Sequence, residues 1–145
     1  MQPEIVELAP AAVCELRRLV LWPHQSVSEC SHESDHAYDT LHVGATVAGH
    51  LVSIATILRE PLGEVPSDAD WRVRGMATLP EATGLGLGGM VLRPCIEHAE
   101  ERGARLIWCN ARAPAVGFYK RFGFVIRGRE FSLPNIGPHY VMVRT

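Results

Sequence analysis

Residues 71–92 read WRVRGMATLPEATGLGLGGMVL, and this stretch decides the fold of the chain. Apolar and charged side chains alternate at its start, a pattern that predicts a strand over residues 71–78 with one solvated side. Pro80 then breaks the strand, and glycines recur at positions 84, 86 and 88. An apolar stretch with one polar stripe follows and predicts a helix over residues 85–102. The sequence therefore predicts a strand, a glycine-rich turn and a helix in succession.

The glycine-rich turn predicts an anion site. Because Gly84, Gly86 and Gly88 lack side chains, successive backbone N–H groups converge beside the helix N-terminus, whose dipole adds roughly half a positive charge. The segment GLGLGG also matches the G-x-G-x-x-G fingerprint of dinucleotide-binding proteins, but that fingerprint needs an acid at the end of the next strand, which here ends in Asn110. No Lys-Ser or Lys-Thr follows, which excludes a P-loop. The remaining alternative is that the glycines only permit close packing of the helix on the sheet.

The rest of the chain predicts six further strands and two further helices. Apolar runs rich in β-branched residues predict strands at residues 5–8, 41–45, 50–58, 105–110, 124–127 and 140–144. Apolar residues at helical spacing predict helices at residues 10–21 and 114–122. The order β-α-loop-β-β-β-α-β-α-β-β predicts a mixed α/β (α+β) fold, and 145 residues predict a single domain over residues 1–145.

Composition narrows the class of protein. No apolar run approaches the roughly 20 residues that span a bilayer, and residues 1–4 lack the basic and then apolar start of a signal peptide. We therefore expect a cytoplasmic protein whose partners include neither membrane nor nucleic acid. The four cysteines are widely separated and form no C-x-x-C pair, so we expect buried free thiols and no metal site.

The net charge of −2 hides an uneven distribution. Residues 1–70 carry 3 arginines against 11 acidic residues, a charge of −8, and residues 71–145 carry 10 arginines and Lys120 against 5 glutamates, a charge of +6. If the two halves form different walls of one cleft, the basic half suits a polyanionic cofactor and the acidic half suits a cationic acceptor. Alternatively, these charges only solvate separate surfaces.

Two segments resemble the GNAT superfamily of N-acetyltransferases. Residues 71–92 resemble its central motif, in which Gln or Arg, two residues, Gly, any residue and then Gly or Ala bind the pyrophosphate of coenzyme A. Gly86 and Gly88 match this motif, whereas Thr83 stands where the family usually has Arg or Gln. The segment NARAPAVGFYKRFGF, residues 110–124, resembles the strand, short helix and Phe-Tyr-x-x-Phe-Gly-Phe signature of the same superfamily.

The resemblance covers the whole chain and implies a fold. That fold is a mixed, mostly antiparallel twisted sheet of about six to seven strands with helices on both faces. The segments LRRLVLWPHQSVSEC and LPNIGPHYVM, with Asp35, Asp39 and His42, are similar to the ElaA-like branch of the superfamily. This closer likeness sharpens the expected fold and says little about the acceptor.

The resemblance implies acetyl-CoA as the co-substrate. Backbone N–H groups of residues 85–89 would bind its pyrophosphate, and backbone groups of residues 76–78 would pair with its pantetheine arm as an extra strand. The amide of Met76 or Ala77 would polarise the thioester oxygen. The alternative role of Asn110 is to cap the following helix or to form a turn, and the alternative role of Phe118 is to pack in the core. The expected co-substrate residues are Met76, Ala77, Thr78, Thr83, Gly84, Leu85, Gly86, Leu87, Gly88, Gly89, Asn110 and Phe118.

The resemblance also implies a general acid. It places Tyr119 beside the CoA sulfur, where a phenol is a fit proton donor to a thiolate; the alternative is a buried tyrosine bonded to one backbone group. Many relatives carry a carboxylate as general base on the strand before the glycines, but residues 71–78 carry only arginines as charged groups. His139, His42, Glu60 or a water chain remain, and we favour His139 at the mouth of the last strand.

These residues together predict transfer of an acetyl group from acetyl-CoA to a primary amine, in a small molecule or a peptide, by direct attack in a ternary complex. One alternative is a non-catalytic acyl-CoA-binding or regulatory domain, and another is a nucleotide-binding oxidoreductase. Arg72, Arg74 and Arg112 meet either the CoA phosphates, a carboxylate on the acceptor, or solvent. The oligomeric state stays open between a monomer and a homodimer, and dimers are common among the proteins that the chain resembles.

Overall fold

The computed structural model describes residues 2–145, so Met1, which begins the amino-terminal segment considered above, lies outside the described residues. The strands are β1 Glu4–Glu7, β2 Leu41–Val47, β3 His50–Arg59, β4 Asp70–Thr78, β5 Leu106–Arg112, β6 Val125–Ile126, β7 Phe131–Leu133 and β8 Gly137–Arg144. Helix α2 is Leu87–Glu101 and helix α3 is Val116–Lys120. Helix α1 covers residues 10–21 in three successive segments: a 3-10 turn at Pro10–Val13, an α-helical turn at Cys14–Leu16 and a π-helical turn at Arg17–Leu21.

The strands of residues 2–145 form one eight-stranded sheet in the order β1-β2-β3-β4-β5-β8-β6, with β7 also paired to β8. Every pair is antiparallel except β4 with β5. The mixed, mostly antiparallel sheet is therefore confirmed, with eight strands instead of six to seven. The additional strand is β7, a three-residue strand that pairs Phe131 with His139. It is too short for an alternating pattern, so the sequence could not distinguish it from the loop around it.

A gap opens between the only two parallel strands of these residues, β4 and β5. They pair at just three positions, of which the last joins Arg72 to Trp108. Beyond that pair the two strands diverge, and we call the resulting gap the window. On its other edge β4 carries a bulge against β3, because Ile54 is opposite Ala77 while Thr56 is already opposite Arg74. The window is the place where the sheet can be reached from both faces.

Helices pack on both faces of the sheet, as predicted. Helix α2 covers one face, where Val91, Leu92 and Cys95 pack with Trp71 and other core side chains. We call this the α2 face; helix α3 contributes Tyr119 to the same cluster. Helix α1 covers the other face, the α1 face, where Val13 and Leu16 pack against Ile54 and Ala77. None of the helices in residues 2–145 is long and apolar enough to cross a membrane.

The remaining elements match the predicted order with shifted ends. Helix α2 begins at Leu87 because Gly86, at φ 77°, holds a left-handed conformation that the helix cannot include. Strand β8 begins at Gly137, three residues before its predicted start, because it extends to pair with β7. The loop predicted between the first helix and the second strand contains 3-10 turns at Ser28–Cys30 and Glu33–His36.

Candidate active site

A cavity of about 300 Å³ occupies the window. Backbone and side chains of β4 from Arg72 to Thr78 form one edge of it, and Asn110 and Arg112 of β5 form the other. Gly88, Ala115, Phe118 and Tyr119 close it on the α2 face. The end of helix α1 and the β7–β8 turn close it on the α1 face, through Leu21, Trp22, Leu133 and Ile136. The cavity therefore connects the two faces of the sheet.

The glycines before helix α2 divide into two pairs. Gly84 and Gly86 have φ angles of 82° and 77°, and a Cβ built on either would meet nothing within 4 Å. They are needed for the left-handed turn, and they leave its outer surface open. A Cβ on Gly88 would lie 3.2 Å from Phe118 Cε1, and one on Gly89 would lie 2.8 Å from Phe122 Cζ. This second pair permits close packing of the helix. The anion-site interpretation of the sequence therefore applies to Gly84 and Gly86, and the close-packing interpretation applies to Gly88 and Gly89.

The N-terminus of helix α2 presents free donors. Gly86 caps the helix without a side-chain hydrogen bond, and the first helical bond runs from Met90 N to Gly86 O at 3.3 Å. The N–H groups of residues 87–89 precede that bond and have no acceptor within the helix. Thr83 adds no further donor here, because its hydroxyl donates to the Pro80 carbonyl at 2.8 Å. The turn can therefore bind an anion through backbone groups alone.

Tyr119 reaches the cavity from helix α3. Its side chain is 7% exposed, and its ring packs edge-on against Phe118 and Phe124 at centroid distances of 5.1 and 5.4 Å. Within residues 2–145 its hydroxyl has no hydrogen-bond partner, so it is not the internally bonded tyrosine of the alternative interpretation. Burial, with smaller contributions from Cys109 and Cys95, raises the pKa of the Tyr119 phenol well above its usual range. The phenol therefore stays protonated and remains a proton donor.

His139 reaches the same cavity from strand β8. It is 4% exposed and its ring stacks on Phe131 at 5.7 Å. Its Nδ1 lies 2.8 Å from the Gly137 carbonyl oxygen. Because a carbonyl oxygen only accepts, Nδ1 carries a hydrogen. In the neutral form of such a ring the lone pair is on Nε2, which is then the proton acceptor.

The structure does not bring the other base candidates into the cavity. Both ring nitrogens of His42 are used, with Nδ1 2.8 Å from Thr56 Oγ1 and Nε2 2.9 Å from the Asp35 carbonyl oxygen. Burial lowers the pKa of His42. Glu60 accepts a hydrogen bond from Arg72 Nη1 at 2.9 Å. Neither side chain lines the cavity.

A buried ionic cluster beside the window was not found from the sequence. Arg17 and Asp35 have side chains that are 0% exposed, and two hydrogen bonds of 2.7 and 3.0 Å join them. Arg74 also donates to Asp35, at 3.1 Å. Burial alone would raise the pKa of the Asp35 carboxyl, but the hydrogen bonds from Arg17 and His32 and the nearby guanidinium charges hold this pKa well below its usual range. The cluster therefore fixes Arg74 next to the cavity.

One signal in the sequence pointed to this cluster. Val13, Leu16 and Val20 mark the buried stripe of helix α1, and Arg17 falls on that stripe at i+4 from Val13. A charged residue on a buried stripe needs a buried partner. The structure also gives the reason for Gly75 in strand β4: at φ 64° it forms the bulge, and a Cβ there would lie 2.9 Å from Arg17 Nε.

The predicted site residues thus fall into three groups. Met76, Ala77, Thr78, Gly88, Asn110, Phe118, Tyr119 and His139 line the cavity. Thr83, Gly84, Leu85, Gly86 and Gly89 form the turn and first helical residues at its end, and Leu87 is buried in the core at 2% exposure. Arg72, Arg74 and Arg112, predicted with three alternative roles, also line the cavity.

The described residues contain no group of three or more His, Cys, Asp or Glu side chains able to hold a metal.

Known proteins resemble this chain over nearly its full length. The profile of the acetyltransferase (GNAT) family matches residues 10–124. The uncharacterized N-acetyltransferase YitI of Bacillus subtilis is 32% identical over 142 residues, which are 98% of this chain and 95% of that protein. ElaA of Escherichia coli has a similar structure, with a TM-score of 0.80, 19% identity, and coverage of 99% of this chain and 100% of ElaA. An acyl-CoA N-acyltransferase from Pseudomonas aeruginosa has a TM-score of 0.74 at 22% identity, covering 99% of this chain and 100% of that one.

Proposed function

Since the chain belongs to the GNAT acetyltransferase family and is an acyl-CoA-dependent N-acyltransferase, we propose that it transfers the acetyl group of acetyl-CoA to a primary amine by direct attack in a ternary complex. One observation carries this proposal. A protonated phenol, Tyr119, and an imidazole with a free lone pair, His139, line one cavity and approach it from different faces of the sheet. An acid and a base at two sides of one reaction volume are what acyl transfer to an amine needs.

The glycine-rich turn supports binding of the CoA pyrophosphate. Gly84 and Gly86 leave the outside of the turn open, so a phosphate can approach the backbone closely. The free N–H groups of residues 87–89 and the dipole of helix α2 favour negative charge there. In this proposal the turn from Thr83 to Gly89 binds through its backbone, and Thr83 contributes no side-chain donor.

The free edge of strand β4 supports binding of the pantetheine arm. Pairing between β4 and β5 ends at Arg72, so Met76, Ala77 and Thr78 face the window without a strand beside them. Backbone groups left free in this way can pair with an extended ligand. The bulge places an extra residue of β4 at Gly75 and Met76, where an N–H turned out of the ladder would polarise the thioester oxygen.

The proton transfers follow from the placement of the two side chains. Acetyl-CoA supplies the thioester carbon. His139 Nε2 accepts the proton that the amine loses as its nitrogen forms a bond to that carbon, and Tyr119 donates its phenolic proton to the sulfur as the C–S bond breaks. Asn110 and Phe118 also line the cavity, and in this proposal they hold the pantetheine arm in place.

Direct attack is favoured over a covalent acyl-enzyme. Cys109, the candidate nucleophile for an acyl-enzyme, precedes the cavity-lining Asn110 in the chain, but it is 1% exposed. Burial raises the pKa of its thiol to about 12, so almost no thiolate forms at neutral pH. The sulfur points into the core cluster under helix α2 and does not line the cavity.

Initial-velocity kinetics test this proposal. Release of free CoA thiol is measured while acetyl-CoA and a panel of primary amines, including peptides, are varied together. Intersecting double-reciprocal lines are expected for a ternary complex, whereas parallel lines would contradict direct attack. Tight CoA binding in calorimetry with no thiol release from any amine would instead support the alternative, a non-catalytic acyl-CoA-binding domain.

The homodimer and the single-domain organisation of residues 1–145 stay predictions. Light scattering tests the homodimer, and limited proteolysis tests the single domain.

A further inference from the structure

All formally charged side chains that line the part of the cavity on the α1 face are arginines. Its formally charged side chains are Arg72, Arg74 and Arg112, and within residues 2–145 no aspartate or glutamate lines it. The acidic first half of the chain thus presents no carboxylate to the cavity. Its two nearby acids, Asp35 and Glu60, bind arginines instead.

Positive charge remains uncompensated around this part of the cavity. Asp35 is shared by Arg17 and Arg74, and Glu60 pairs with Arg72, so these five groups leave one excess positive charge. Arg112 adds another, because its Nη2 donates to the Leu21 carbonyl at 2.7 Å and it forms no salt bridge within the described residues. Its side chain is half-buried, where an unpaired guanidinium interacts strongly with an anion. A cavity lined by this charge favours a ligand that supplies negative charge.

The register of the sheet places this charge next to the proposed base. Arg112 of β5 is directly opposite His139 of β8 in the ladder, so the two side chains stand on the same face with Cβ atoms about 5 Å apart. A negative group bound by Arg112 would therefore lie only a few bonds from an amine that gives its proton to His139. The glycine-rich turn belongs to the opposite face, with helix α2, so the CoA phosphates do not account for Arg112.

We propose that the acceptor carries a carboxylate a few bonds from its reactive amine, as a free amino acid does, and that Arg112 binds this carboxylate beside His139. This inference rests on the function proposed above and names its acceptor class. Arg74, fixed by Asp35 and Ser34, contributes a second positive charge to the same part of the cavity.

Matched acceptor series test the inference. Thiol release from acetyl-CoA is compared for phenylalanine, its amide and phenethylamine, and likewise for leucine, its amide and isoamylamine. The amide separates the effect of the carboxylate from that of amine basicity. It lacks the carboxylate, but its α-amine is the least basic of the three amines, so low basicity of the amine cannot explain a preference for the amino acid over phenethylamine or isoamylamine as well as over the amide. The amino acids are expected to have kcat/KM values about 10- to 100-fold above those of the two partners that lack a carboxylate, since a charge-assisted hydrogen bond is lost with that group.

Variants assign the preference to Arg112. Arg112→Gln keeps a polar N–H donor at this position but removes the charge, and it is expected to abolish the preference while acetyl-CoA affinity stays within about twofold. Arg112→Lys should restore part of the preference. Arg129→Gln, at an exposed position that does not line the cavity, is the matched control and should leave the preference unchanged. Thermal melting checks that each variant is folded.

The outcomes separate this inference from the proposed function. Turnover that is as fast or faster with the amines that lack a carboxylate overturns the inference and leaves acetyl transfer intact. A loss of acetyl-CoA affinity in Arg112→Gln as large as the loss of acceptor affinity also overturns it, because Arg112 would then serve CoA. If no amine is turned over, calorimetry measures whether phenylalanine binds in the presence of CoA. Binding that is lost in Arg112→Gln supports the carboxylate site and overturns only the proposed acetyl transfer. Absence of binding overturns both proposals.

Discussion

The two sides of the window differ in the groups they present. On the α2 face the cavity meets backbone, aromatic rings and the neutral Tyr119, with the free N–H groups of the glycine-rich turn at its end. On the α1 face it meets three arginines and His139, with the buried Arg17–Asp35 pair behind them. The first side is where we propose that CoA binds. The second side is where we propose that the acceptor binds.

The largest expected effect comes from the proton donor on the α2 face. Tyr119→Phe removes one hydroxyl from the cavity, and kcat for thiol release should fall by about 10²- to 10⁴-fold, the usual contribution of a general acid. The Kd of CoA in calorimetry should change less than about twofold, since the ring remains. Tyr38→Phe, at a residue that is 96% exposed, is the control and should be neutral. A Tyr119→Phe enzyme with nearly full kcat would remove Tyr119 from the mechanism.

The next effect concerns the buried pair behind the α1 face. Asp35→Asn leaves Arg17 without its counter-charge in a fully buried position, and the free energy of unfolding should fall by about 3–5 kcal/mol in urea titrations. Asp68→Asn, on the surface loop, should cost less than about 0.5 kcal/mol. Equal effects of the two substitutions would show that the Arg17–Asp35 pair contributes nothing specific.

The same pair predicts a pH dependence. Because the pKa of Asp35 is lowered in the folded chain, its stabilising contribution is fully present above the ordinary carboxyl pKa of about 3.9 and is lost as the pH falls below that value. The unfolding free energy of the wild type should therefore fall more steeply below about pH 4 than that of Asp35→Asn. Identical slopes for the two proteins would contradict the lowered pKa.

A smaller effect separates the two pairs of glycines on the α2 face. Gly89→Ala places a methyl group 2.8 Å from the Phe122 ring and should lower stability by about 1–3 kcal/mol through overpacking. Gly86→Ala forces a left-handed conformation on alanine at φ 77° and should cost about 1 kcal/mol. Only Gly86→Ala should weaken CoA binding by more than its stability loss explains, because it distorts the turn that presents the N–H groups. Calorimetry and thermal melting on both variants measure the difference.

The smallest expected effect concerns Thr83. Its hydroxyl is bonded to Pro80, and Thr83→Arg would place a guanidinium at the position where the resemblance expects one. Because this position is exposed, the gain should be only about two- to fivefold in CoA affinity. The gain should shrink as salt is added. Unchanged affinity at low salt would mean that the backbone of the turn alone binds the pyrophosphate.

The sequence predicted the α2 side of the window better than the α1 side. The glycines of residues 84–89 and the aromatic residues of helix α3 lie close together along the chain and carry local conformational signals, so their positions could be inferred. The α1 side combines Arg17, Arg74 and Arg112, which are far apart in sequence and meet only through strand register and packing. Strand β7 was missed for a related reason, because three residues carry too little periodicity.

The uneven charge of the two halves of the chain did not predict the charge of the cavity. The acidic half suggested a cationic acceptor, yet Asp35 and Glu60 bind arginines from the other half and leave the cavity positive. Net charge over a segment ignores which charges neutralise each other after folding. The position of His139 on the last strand can be read from the sequence, but its tautomer follows only from the hydrogen bond to the Gly137 carbonyl.

A crystal structure with CoA and an amino acid bound together tests the central claim most directly, because that claim is that two substrates meet through the window from opposite faces. We predict the CoA sulfur within hydrogen-bond reach of Tyr119 Oη, and the amine next to His139 Nε2 with its carboxylate on Arg112. A CoA molecule whose sulfur lies outside the window, or an amine that enters from the α2 face, would contradict this account.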